Sequence, residues 1–120
     1  MSQSKSPIQR PARSVATPLP LDSEVIEKNL HSAGWGAYVV GDQVNGMFRA
    51  VKVGRTEDLR GCLTDFIGAY DEFVYKSAAS QGAAFQIECR FYHQYRPTHT
   101  RSHPTRSPGT DWECPVCQGF

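Results

Sequence analysis

The residue types best suited to chemistry gather towards the C-terminus, where Cys114-Pro115-Val116-Cys117 puts two thiols in one tight turn. Upstream, Cys89 and His93 stand four positions apart in a helix-like pattern, so both would project from one helix face. Two thiolates from a C-x2-C turn, with a thiolate and an imidazole from a helix, make the tetrahedral set that zinc takes. The expected ligands of a structural Zn²⁺ are therefore Cys89, His93, Cys114 and Cys117. His99 and His103 compete with His93 for the imidazole position, and Cys89 has a second reading as a core thiol. A redox dithiol would want C-x-x-C to open a helix after a strand, and three residues after Cys117 leave no room for one. A disulfide framework would want a secretory signal, and none is read. The remaining cysteine, Cys62, reads as a small packed side chain.

A chain of 120 residues suits one domain with flanks. Residues 1–20 carry Pro7, Pro11, Pro18 and Pro20, with Lys5, Arg10 and Arg13, no acid and almost no large apolar side chain. Such a segment buries too little to offset its ordering entropy, so a disordered basic arm is expected there. No apolar stretch follows its charges, and none elsewhere is long enough to cross a membrane. The expectation is a cytoplasmic protein with reduced thiols and no membrane partner.

The net charge of +1 conceals an uneven distribution. Acids outnumber bases across residues 21–89, whereas residues 90–110 hold Arg90, Arg96, Arg101 and Arg106 with no acid. A cationic loop over 96–106, beside Tyr92 and Tyr95, suits a phosphate backbone with stacked bases. Nucleic acid, DNA or RNA, is thus the expected partner, and a solvated connection is the plainer alternative.

The elements that must position these groups are legible in the pattern. Asp22 or Ser23 caps a short helix carrying Val25, Ile26 and Leu30, which ends before Gly34. Trp35 to Val40 reads as a strand, and Asp42 to Gly46 as a turn with the hairpin signal Asn45-Gly46. Phe48 to Val53 alternates, with Arg49, Val51 and Val53 on one face and Phe48, Ala50 and Lys52 on the other. Thr56 is the expected N-cap of a helix whose buried stripe is Leu59, Leu63, Phe66, Ile67 and Tyr70. A third strand follows over Phe73 to Ala78, and Ser80 opens a last helix that runs to about Tyr95 before Arg96-Pro97. The order ββαβα predicts a small α/β domain with a three-stranded sheet, a hairpin plus one strand, and flanking helices.

Several motifs fall at matching places in that order. Gly36-Ala37-Tyr38 lies on the first strand, Lys52-Val53-Gly54 on the second, Arg55-Thr56-Glu57-Asp58-Leu59 just after it, and Ala83-Ala84-Phe85-Gln86-Ile87-Glu88 on the last helix. Across roughly residues 34–95 the chain resembles the GIY-YIG nuclease family. The resemblance implies phosphodiester hydrolysis at a divalent cation, Mg²⁺ or Mn²⁺, held by Glu88. Tyr38 would orient or activate water, and Lys52 or Arg55 would supply a cation for developing charge. Two positions depart from the family pattern. Lys52 replaces the second motif tyrosine, and Cys62 falls where the helix would carry arginine; Arg60 lies about 200° around that helix and cannot stand in. Glu88 also has a plain reading as a helix carboxylate paired with Arg or Lys, and Tyr38 as a packed strand aromatic.

The expected organisation is a basic arm over 1–20, a GIY-YIG-like domain over 21–95, and an Arg/His-rich loop with a zinc knuckle over 96–120. Glu88, Tyr92 and Tyr95 share one helix face, with Cys89 and His93 about 100° round, so both sites can coexist. The leading expectation is a zinc-stabilised, nucleic-acid-associated module with an altered catalytic site. An active endonuclease using Glu88 and Tyr38 is the alternative, and a zinc-stapled protein–protein adaptor the third reading.

Overall fold

Asn45 and Gly46 both take left-handed backbone angles, φ 55° and 77°, and the chain reverses there in two residues. Asparagine and glycine tolerate that region, which matches the twist of a tight hairpin. The computed structural model describes residues 17–30, 34–99 and 103–117. In chain order they form β1 (Leu19–Pro20), α1 (Ser23–Asn29), β2 (Gly36–Val44), β3 (Met47–Thr56), α2 (Leu59–Asp65), β4 (Glu72–Ser77) and α3 (Gln81–Tyr95). The result is a small α/β domain with an antiparallel sheet and three helices. The hairpin is longer than expected, because its strands continue up to the two turn residues.

The sheet order is β1-β4-β2-β3. The expected hairpin and third strand are its three main members. A two-residue fourth strand joins them, with Leu19 opposite Phe73 and Pro20 opposite Glu72. It arises inside the segment drawn as an arm, because Leu19 and Leu21 carry the apolar surface the preceding residues lack, and both join the core. Residues 1–16, the rest of that arm, lie outside the described residues.

The alternation expected along β3 is interrupted. The register shifts between Val40 and Gly41, whose partners are Lys52 and Ala50, so Val51 is an extra residue on β3. One inserted residue reverses the two-residue period. Phe48, Ala50 and Val53 therefore pack together with Val39 and Val74, while Lys52 turns to the opposite face. That is a correction to the face assignment made from sequence.

Local capping explains the helices. Asp22 Oδ1 accepts the Val25 N–H at 2.9 Å, and Ser80 Oγ accepts the Ala83 N–H at 3.1 Å. The cap of α2 is Asp58 and not Thr56: Asp58 Oδ1 takes the Gly61 N–H at 3.0 Å, while Thr56 Oγ1 takes the N–H of Asp58 itself. The α2 stripe also ends early. Phe66 is its C-cap, Gly68 follows at φ 90°, and Ile67 and Tyr70 form an isolated bridge instead of a further turn. α3 ends at Arg96 in a left-handed conformation ahead of Pro97.

Two cores flank the sheet. Ile26, Leu30, Leu59 and Leu63 from α1 and α2 meet Tyr38, Val40 and Phe73 on one face. Phe91, Tyr92 and Tyr95 of α3 meet Val39, Ala50, Val53 and Val74 on the other. After α3, the backbone N–H groups of Thr98 and His99 donate to the Ala50 and Val51 carbonyls, covering the β3 edge at its bulge.

Candidate metal centre and the Arg55–Glu88 pair

One turn separates Cys89 from His93, and α3 presents both to the C-terminal tail. The tail is drawn onto α3 by the Trp112 indole, whose ring lies 5.8 Å from that of Phe85. Gln81 Nε2 donates to Ser107 Oγ at 2.7 Å, and Arg106 Nη1 donates to the Trp112 carbonyl at 3.3 Å. This return brings His103, Cys114 and Cys117 to His93, and the ligand atoms of these four residues lie within 4.8 Å of one another.

Three details suit the four to one ion. Among the described residues, His93 Nε2 is buried without a hydrogen-bond partner, a costly state for a ring nitrogen that has no ligand. His103 Nδ1 lies 2.8 Å from the Pro104 carbonyl, which only accepts, so Nδ1 carries the proton and Nε2 presents a lone pair. That Nε2 is 3.4 Å from Cys117 Sγ. At Cys114, burial opposes ionisation, but the backbone N–H groups of Cys117 and Val116 and the His103 and Cys89 side chains outweigh it, bringing the thiol down to about 6. Thiolate is the ligating form.

Of the residues expected to bind metal, His93, Cys114 and Cys117 are in this group and Cys89 is not. Cys89 is fully buried among Phe85, Cys114 and Trp112. Burial foremost, then its hydrogen bond to Cys114, pushes its thiol far up, as for a proton donor to a neighbouring sulfur. His103 takes the fourth place. His99 stands apart, exposed, with its backbone on the β3 edge. Choosing among the histidines needed the path of the loop, which spacing does not encode.

The four residues that the family resemblance singled out fall in two pairs on opposite faces of the sheet. Arg55 leaves the end of β3 towards α3. Its Nη1 is 2.6 Å from Glu88 Oε1, its Nη2 donates to the Thr105 carbonyl at 2.9 Å, and its guanidinium stacks 5.3 Å over the Phe85 ring. Both side chains are largely shielded, at 17% and 11% exposure. Burial lifts the Glu88 carboxyl above the usual carboxylate range, against the hydrogen bond and charge of Arg55.

Tyr38 and Lys52 face α2. Tyr38 is buried beside Phe66, and the Lys52 ammonium lies 5.1 Å over that same ring. Burial pushes the Tyr38 hydroxyl far up, followed by the charge and hydrogen bond of Cys62, with Glu88 contributing less. Cys62 is itself raised by burial, which the Tyr38 hydrogen bond, Lys52 and Thr56 oppose. Cys62 is thus a partner of Tyr38, a contact that no spacing rule indicates.

The cationic loop divides as well. Arg90 and Arg96 are exposed, Arg106 is folded into the tail, and Arg101 lies outside the described residues. No helix among the described residues is long and apolar enough to cross a membrane.

No family model matches the chain, and no curated protein does. Among solved structures, the chain is similar to the GIY-YIG N-terminal endonuclease domain of UvrC from Thermotoga maritima, a domain bound to its catalytic magnesium. The match has 22% sequence identity and a TM-score of 0.46, and covers 62% of this chain and 94% of that one.

Proposed function

We propose that this chain is a zinc-stabilised, GIY-YIG-like cytoplasmic domain that associates with nucleic acid and whose hydrolytic site is altered. The observation that carries the reading is the Arg55–Glu88 pair. A divalent cation of the Mg²⁺ or Mn²⁺ class needs a carboxylate oxygen with room for several waters. The Glu88 oxygen at 2.6 Å from Arg55 is already engaged and largely shielded from solvent. Tyr38 and Lys52, which would act beside it, pack around Phe66 on the α2 side instead of on Arg55. The residues present therefore do not fit such a cation as they stand.

The second metal has a fitting donor set. Two imidazole nitrogens and two thiols, from His93, His103, Cys114 and Cys117, match closed tetrahedral zinc and are too soft for Mg²⁺. Four protein ligands leave no open position, so the ion would be structural, holding the tail to α3. Exposed Arg90 and Arg96 on and beside the end of α3 offer a phosphate backbone its counter-charge.

The test is binding and cleavage side by side, on single- and double-stranded DNA and RNA with Mg²⁺ or Mn²⁺, using wild type and Glu88→Ala. We expect binding that weakens steeply as salt rises, with no cutting. Cutting that disappears in Glu88→Ala would establish the active endonuclease instead. Absence of salt-sensitive binding would favour the protein–protein adaptor.

A further inference from the structure

We propose that Cys117 is the thiol through which peroxides oxidise the metal centre, with Cys114 as the sulfur that closes a disulfide onto it and releases the ion. The inference rests on the zinc assignment above and goes beyond it, by giving the two thiolates of that centre different reactivities.

The two sulfurs stand in one turn, with only Pro115 and Val116 between them, yet their surroundings differ. Cys114 is fully buried, in a cluster with Phe85, Cys89 and the Trp112 ring. The Val116 N–H donates to its Sγ at 3.4 Å, and the Cys117 N–H and the Cys89 thiol bond to the same sulfur. Hydrogen bonds take up the lone pairs of a thiolate, and a closed core keeps reagents from it, so Cys114 is the protected ligand. Cys117 is exposed, with His103 Nε2 3.4 Å from its Sγ. An exposed thiolate is the one that a small oxidant meets first. The other two cysteines are less open: Cys89 is buried beside Cys114, and Cys62 is half-buried against Tyr38.

The chemistry is a two-electron oxidation by hydrogen peroxide. The Cys117 sulfur attacks one peroxide oxygen, the O–O bond breaks, and a sulfenic acid forms with loss of hydroxide. Cys114 Sγ, within 4.8 Å, then attacks the Cys117 sulfur; the S–O bond breaks, a second hydroxide leaves, and the disulfide is made. Two protons from solvent turn the hydroxides into water. The ion keeps only His93 and His103 and dissociates. The tail stays on the domain, because the Trp112–Phe85, Gln81–Ser107 and Arg55–Thr105 contacts do not involve the ion.

The experiment treats the zinc-loaded full chain with hydrogen peroxide, follows released zinc with a colorimetric indicator, and locates modified thiols by peptide mass. A parallel sample contains dimedone, which alkylates sulfenic acids. Zinc release in step with a Cys114–Cys117 disulfide is expected, with a dimedone adduct on Cys117 and with Cys62 and Cys89 still reduced. Cys117→His, which keeps four ligands, should hold its zinc through the same treatment. Zinc retained by the wild type under peroxide overturns the proposal alone. So does a first adduct on Cys114 or Cys89, a disulfide that joins Cys89, or a disulfide formed with no adduct on Cys117. Release from zinc-loaded Cys117→His at the wild-type rate overturns it as well; should that variant take up no zinc, the adduct on the wild type decides. A purified wild type that takes up no zinc removes the zinc assignment and this inference together.

Discussion

The Tyr38 side chain on β2 occupies the space that a Cβ would need at Gly54, its cross-strand partner on β3: a methyl there would stand 2.6 Å from Tyr38 Cζ. This contact ties the tyrosine of one motif to the glycine of the other. Neither residue has a strained role of its own; each fits because of its partner. Gly54→Ala is expected to cost about 1–3 kcal/mol in urea denaturation, the range for overpacking. In a Tyr38→Ala background the same substitution should cost almost nothing. An equal cost in both backgrounds would remove the contact as the cause.

Elemental analysis of purified variants will separate the two ligand sets. Cys117→Ser and His103→Ala are expected to lose zinc, and Cys89→Ser to keep it. Chelation of the wild type should lower the melting temperature, because an ion bound only by the folded chain stabilises it. Loss of zinc from Cys89→Ser, with retention in His103→Ala, would restore the helix-pair ligand set.

Removing Glu88 leaves a shielded arginine without its counter-charge. Glu88→Ala is expected to destabilise by about 3 kcal/mol, the lower end for breaking a buried pair, since both side chains keep some exposure. Glu88→Gln still accepts a hydrogen bond and should cost about 1–2 kcal/mol. A double-mutant cycle with Arg55→Ala tests this: additive costs would mean the pair does not interact in solution.

Burial raises the Cys62 thiol above the usual cysteine range, so it holds its proton where an unfolded thiol has lost it. The contribution of Cys62 to stability is therefore present below the unfolded thiol pKa and declines as pH rises through the folded one. At pH 8, aromatic disulfide reagents should modify Cys62 in the zinc-loaded chain more slowly than in the denatured chain. Tyr38→Phe removes a hydrogen bond that lowers this thiol, so modification, located by peptide mass, should slow further. Faster modification in that variant would reverse the sign assigned to the contact.

Loss of the Trp112 ring should loosen the tail from α3. Trp112→Ala is expected to cost about 2 kcal/mol, less than a fully buried tryptophan, because the ring is only half-buried. Limited proteolysis should then cut within 104–113 before it cuts the sheet. Unchanged protection of that segment would place the tail's anchorage elsewhere.

Much of the frame was determined by the sequence itself, because it depends on neighbours in the chain. Asn45-Gly46 reverses the hairpin in two residues, Ser80 caps α3, Arg96-Pro97 ends it, and Cys114-Pro115-Val116-Cys117 gathers two thiols without help from any other segment. One local expectation was displaced by two residues: Thr56 was the expected N-cap of α2, but Asp58 takes the place and the threonine hydroxyl accepts the Asp58 N–H instead. What only the tertiary structure decided depends on residues far apart in sequence. The extra residue at Val51 turns Lys52 away from Ala50, so Lys52 and Arg55 serve different faces of one strand. The path of the tail puts His103 against His93 and leaves Cys89 inside a core. It also sets the Thr105 carbonyl on the Arg55 side chain that holds Glu88. Spacing specifies which groups a turn or a helix can bring together; which groups meet across the sheet is settled only when burial, hydrogen bonding and charge are satisfied at once.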